Sequence, residues 1–163
     1  MIGRLFKIAV LVLGIADPST AMADGCVADV DTKISFVENG KQYQANRIAD
    51  YMALITRRDL HNSKGLRLAN FAAVMQQDRA NLYKTGTPDI VGEYMDTRED
   101  YFTTRKRRNQ LSTMRYYSDC TLTRLGVTAL QNDILNAGGL GVLWVVVFQH
   151  PDGKPAIYLS QVD

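Results

Sequence analysis

Two short alternating stretches, Lys33 to Glu38 and Lys41 to Ala45, flank Asn39-Gly40. This dipeptide tolerates positive φ at both centres of a two-residue hairpin turn. The pattern predicts a hairpin with Phe36 opposite Tyr43 and Ile34 opposite Ala45. From about Arg47 the spacing changes. Ile48, Tyr51, Met52 and Ile55 recur at helical intervals, and with Asn46 as N-cap they predict a first helix. A second helix is expected over roughly Leu66 to Lys84, where Leu68, Phe71, Ala72, Met75, Leu82 and Tyr83 make one apolar stripe. Gly86 followed by Pro88 ends it. Asp78 and Arg79 sit beside that stripe, as a helix-surface pair or an internal salt bridge.

Thr87 to Phe102 is acidic and turn-prone, and a short helix is expected to start after Thr103 or Thr104. Met114 to Leu122 reads as a strand carrying Cys120, and Leu125 to Asn136 as a helix stopped by Gly138-Gly139. Val142 to Gln149 is nearly all β-branched or aromatic, Asp152-Gly153 marks a tight turn, and Ala156 to Val162 returns. Pairing across a two-residue turn sets Val146 against Leu159 and Phe148 against Ile157 on one face. Val145, Val147 and Tyr158 then fall on the other. Both faces are apolar, so both must be covered, by helices or the first hairpin within the monomer, or else by a partner. The expected fold class is α+β: a single small domain with helices packed on a small antiparallel sheet that ends in a C-terminal β-hairpin.

The N-terminus changes this picture. Arg4 and Lys7 precede an apolar run from Ile8 to Ala16, and Ala21-Met22-Ala23 offers small residues where a signal peptidase reads. Residues 1–23 are therefore expected to be a cleaved secretory signal peptide, and 24–163 a single exported domain, periplasmic or secreted. An apolar run of about nine residues is too short for a membrane span, which needs roughly 20. Losing Arg4, Lys7 and Asp17 reduces 19 basic and 17 acidic residues to 17 and 16, so the charge balance gives no argument for a nucleic-acid partner. In an oxidising compartment Cys26 and Cys120 are expected to pair. The bridge would close a loop of about 95 residues, for which chain entropy allows on the order of 4 to 5 kcal/mol.

Catalytic chemistry is sparse. His61 and His150 are the two histidines, both in polar turns and expected to face solvent, and no GxSxG elbow is present. Four cysteine or histidine ligands for a zinc site are not available once the cysteines pair. Asp96, Glu99 and Asp100 fit the dipole of a following helix better than a cation loop. No cofactor is expected. Arg105, Lys106, Arg107 and Arg108 form the candidate partner-binding feature, although four consecutive helical positions spread over some 300° and cannot make one stripe. The leading reading is a small exported, non-enzymatic binding protein, of inhibitor or immunity type or an accessory of envelope or virulence machinery. Its partner is expected to be another exported or envelope protein. The alternatives are a hydrolase of cell-wall or surface polymer acting through Asp96, Glu99 or Asp100, and a small-ligand or lipid carrier with a cavity between helices and sheet.

Overall fold

A computed structural model describes residues 26–30, 33–119, 126–136 and 141–162. The expected signal segment and Cys120 lie outside the described residues. Six strands form a closed barrel: β1 (Cys26–Asp29), β2 (Lys33–Glu38), β3 (Lys41–Ile55), β6 (Arg115–Asp119), β7 (Gly141–Gln149) and β8 (Pro155–Gln161), in the spatial order β1-β2-β3-β7-β8-β6. A two-stranded sheet, β4 (Ile90–Val91) with β5 (Tyr94–Met95), lies outside it. Three helices complete the described residues: α1 (Phe71–Thr85), α2 (Arg105–Asn109), continued by a 3-10 turn at Gln110–Ser112, and α3 (Gly126–Asn136).

The expected α+β class with helices on a small antiparallel sheet is thus wrong: the molecule is mostly β, and its sheet is closed. The first error is at Arg47 to Ile55, expected as a helix and found as the second half of the 15-residue strand β3. Arg47 pairs with Phe148 and Ala49 with Val147, which leaves Ile48 as the extra residue of a β-bulge. The bulge shifts the alternation by one place, so Ile48 to Tyr51 imitates a helical interval. Beyond it Tyr51, Ala53 and Ile55 share one buried face. The second error is closure. β1 runs parallel to β6 and β6 parallel to β8, pairings that join distant segments and leave no local turn signal.

The first hairpin matches its expectation. Phe36 pairs with Tyr43 and Ile34 with Ala45, and the turn residues Asn39 and Gly40 have φ of 52° and 68°. The last hairpin is one residue out of its expected register: Val146 pairs with Tyr158, Phe148 with Ala156, Val147 with Ile157 and Val145 with Leu159. Its loop has three residues between a bonded pair, since His150 N–H donates to Lys154 O at 2.9 Å, with Gly153 at φ 82°. A slip of one residue exchanges the faces of β8, which puts Tyr158 beside Val146 and Leu159 beside Val145.

These faces build two cores. Val27, Ile34, Phe36, Ala45, Tyr117, Val146, Phe148, Ala156 and Tyr158 come from all six strands and fill the barrel. Phe36 lies 5.2 to 5.4 Å, ring to ring, from Tyr43, Tyr117 and Phe148. The outer faces of β3, β7 and β8 carry Tyr51, Ala53, Leu143, Val145, Val147 and Leu159, which pack under Val74 and Met75 of α1 and Leu130 and Ile134 of α3. Both faces of the last hairpin are therefore covered within the monomer. α1 starts five residues later than expected, because Asn70 is its N-cap and accepts from Ala73 N–H at 2.9 Å. Gly86, in the left-handed region, ends it as expected. No helix among the described residues is long and apolar enough to cross a membrane.

Candidate functional site

Charged groups gather in three places, and two of them are occupied by internal bonds. The first lies between α1, β3 and the strap that follows β5. Arg79 is fully buried and donates through Nε to Asp78 Oδ2 (2.7 Å), through Nη2 to Asp96 Oδ1 (3.2 Å) and through Nη1 to Thr97 O (2.8 Å). Its guanidinium stacks 4.2 Å from the Tyr51 ring. Asp96 also accepts from Leu54 N–H at 2.7 Å, and Thr97 Oγ1 accepts from Met52 N–H at 2.7 Å. The strap thereby caps the edge of β3 that β7 leaves open. Of the two descriptions open to the Asp78–Arg79 pair, it is the internal salt bridge.

Asp78 is the anomalous member. Its Oδ1 and the Tyr51 hydroxyl are both buried without a hydrogen-bond partner. Burial outweighs the Arg79 charge and pushes the Asp78 carboxyl up to about 7. Burial also raises Tyr51 well above the ordinary tyrosine range. Asp59, wholly buried nearby, is satisfied by Thr56 N–H, Thr56 Oγ1–H and Asn81 Nδ2–H at 2.8 to 2.9 Å.

The second cluster closes one end of the barrel. His150, expected to face solvent, is buried. Its Nε2 lies 3.0 Å from Glu38 Oε2 and its Nδ1 2.9 Å from Asp152 Oδ1. Arg115 joins Asp152 at 3.1 Å, and Tyr117 O–H donates to Glu38 Oε1 at 3.1 Å. Both ring nitrogens of His150 are engaged, so it ties β2, β6 and the β7–β8 loop together. The polar turn Pro151-Asp152-Gly153 obscured this, because Phe36 packs against the ring at 5.5 Å from the barrel side.

Of the acids proposed for a hydrolase, Asp96 lies apart from the other two, whereas Glu99 and Asp100 border one cleft. Asp96 faces Arg79. Glu99 is buried, with Oε2 accepting from Phe102 N–H at 2.7 Å and Oε1 from Tyr83 O–H at 2.7 Å. Tyr83 O–H also reaches Glu99 O. Asp96 and Glu99 are therefore internal connectors, not the solvated dipole partners expected from sequence. Asp100 is exposed and lines a cleft of about 370 Å³ with Glu99, whose carboxylate is held by Tyr83 and Phe102, and Asp50, whose carboxylate is paired with Arg47 at 2.7 Å. Among the described residues no group of three histidine, cysteine, aspartate or glutamate side chains is placed to hold a metal.

The third place is open. α2 starts at Thr104, whose Oγ1 accepts from Arg107 N–H at 3.2 Å, and its basic residues diverge as the helical angle requires. Arg107 lies 4.5 Å over the Tyr101 ring. Arg108 donates through Nη1 to Phe102 O and Thr103 O, each at 3.0 Å. Lys106 is exposed. Arg105 and Arg108, with Asn109, face Gln76 and Gln77 of α1 across a groove of about 290 Å³. The amide wall was missed in the sequence because Gln76 and Gln77 are half-buried side chains on the flank of an apolar stripe. The chain matches no known protein-family model, and no curated protein or solved structure matches it significantly.

Proposed function

We propose that this is a small exported binding protein without catalytic activity, which engages another exported or envelope protein through the groove between α1 and α2. One observation carries the reading: Arg105, Arg108, Gln76 and Asn109 face an open groove, whereas the charged clusters at Arg79 and His150 are spent on internal bonds. Cationic and amide groups held on two helices give a partner both attraction at a distance and directional hydrogen bonds on contact. The lumen is filled by aromatic and aliphatic side chains, which fits a scaffold that presents a surface.

A photo-crosslinking side chain at Lys106, next to Arg105 in α2 but outside the groove lining, tests this in cells producing the full chain. A discrete adduct is expected in the exported fraction, and Arg105→Glu should abolish it. The same adduct yield with Arg105→Glu, or no adduct at all, would overturn the reading.

A further inference from the structure

We infer that the groove takes an extended acidic peptide segment, a statement that rests on the binding reading above and names the chemistry of its occupant. Ala73, Gln76, Gln77 and Ala80 occur at i, i+3, i+4 and i+7 and form one face of α1. Arg105, Arg108 and Asn109 occur at i, i+3 and i+4 and form the facing wall from α2. The two alanines give the groove depth, and its volume of about 290 Å³ accommodates a short length of chain and not a folded surface.

The walls differ in chemistry, and the difference selects the occupant. Gln76 and Asn109 carry carboxamides, each of which donates and accepts at once and so matches the N–H and C=O of an extended main chain, whereas Gln77 Nε2 already donates to Asn81 Oδ1 at 2.8 Å. Arg105 and Arg108 present guanidinium forks suited to carboxylates. Arg108 is held in place by Phe102 O and Thr103 O, so little side-chain freedom is lost when it pairs again. The side chains of Arg105, Gln76 and Asn109 make no hydrogen bond or ion pair with other described residues. Among the described residues no acidic side chain lines the groove, and Asp78 of α1 turns into the core to bond Arg79. Among the described residues no aromatic ring lines it either. A polyanionic sugar would lack the stacking platform that carbohydrate recognition uses, and an apolar helix would find Leu68 as the one large apolar side chain for its several anchors.

Fluorescence anisotropy of the purified full chain against three probes tests the inference: a labelled peptide alternating Glu or Asp with Ser, its Gln/Asn isostere, and a charge-matched oligogalacturonate. The acidic peptide is expected to bind, and the isostere to bind at least tenfold more weakly. Arg105→Gln and Gln76→Leu should each weaken the acidic peptide roughly tenfold, the loss expected for one charge-assisted or well-formed hydrogen-bond pair. Lys106→Gln, on the same helix but outside the groove, should change affinity less than about twofold. Circular dichroism confirms that each variant is folded. Oligogalacturonate binding as tightly as the peptide, or peptide affinity indifferent to Gln76→Leu, overturns the assignment. Absence of peptide binding also overturns it, and if the Lys106 adduct still forms in an Arg105-dependent manner, the binding reading survives without it.

Discussion

With one carboxylate oxygen bonded to Arg79 and the other without a partner, Asp78 keeps its proton to about pH 7 instead of the ordinary 3.8, chiefly because it is buried. The groups facing it are Arg79, Asp96 and Asp59, one cation against two further acids. Between about pH 4 and pH 7 the folded chain holds a proton that the unfolded chain has released, so stability falls as pH rises through that window and stays lower above it. Asp152, held below the ordinary range first by the Lys154 N–H, acts in the opposite sense at more acidic pH. The Asp78 contribution is therefore isolated by difference. Asp78→Asn should match the natural protein in urea denaturation near pH 4.5 and exceed it at pH 8 by on the order of a few kcal/mol. Equal stability of the two at pH 8 would refute the assignment. Arg79→Ala removes the cation shared by Asp78, Asp96 and Thr97 O and leaves buried acids unpaired. The expected loss is about 3 to 5 kcal/mol by denaturant midpoint.

At the scale of elements, caps and bulges decide where segments start and turn. Asn70→Ala removes the oxygen that receives Ala73 N–H and should lower stability by about 1 kcal/mol, measured by thermal or urea unfolding. Much at this scale was legible in the residues. Asn39-Gly40 announced the first hairpin and its register, Gly86 the end of α1, and Thr104 the start of α2. What escaped was non-local. Ile48, 41 % exposed on its bulge, disguised a long strand as a helix, and a three-residue loop in place of two exchanged the faces of β8. The basic wall of the groove could be read from Arg105 to Arg108, whereas the amide wall could not, because it exists only where α1 meets α2. His150 and Glu99 were misread for the same reason. Their partners, Glu38 and Tyr83, lie 112 and 16 residues away.

For the whole molecule, two covalent events would define the mature chain: signal cleavage and a Cys26–Cys120 bridge. If residues 1–23 are removed on export, the secreted or periplasmic fraction should contain a chain that begins at Asp24 by intact mass. Cys26 opens β1 directly opposite Ser118 of β6, and Cys120 follows two residues later in the chain. A Cys26–Cys120 bridge would accordingly reinforce the seam where β1 meets β6. Thiol titration in denaturant without reductant should find no free thiol, and reduction should cost about 2 to 5 kcal/mol by urea denaturation. Two titratable thiols would remove the bridge from the description.

The same seam sets the order in which the barrel can be completed. The described β1–β6 pairs join residues 26 and 27 to residues 118 and 119, and β6 in turn pairs with β8, the last strand of the chain. A chain emerging from its N-terminus has made both strands of its first hairpin long before the partner for the free edge of β1 exists. That edge stays open until residue 119 of 163 is present, which lengthens the search for the native state and prolongs exposure to edge-to-edge association. Refolding from urea should accordingly be slow for a domain of this size, in the millisecond-to-second range typical of non-local β topologies, and its yield should fall as protein concentration rises.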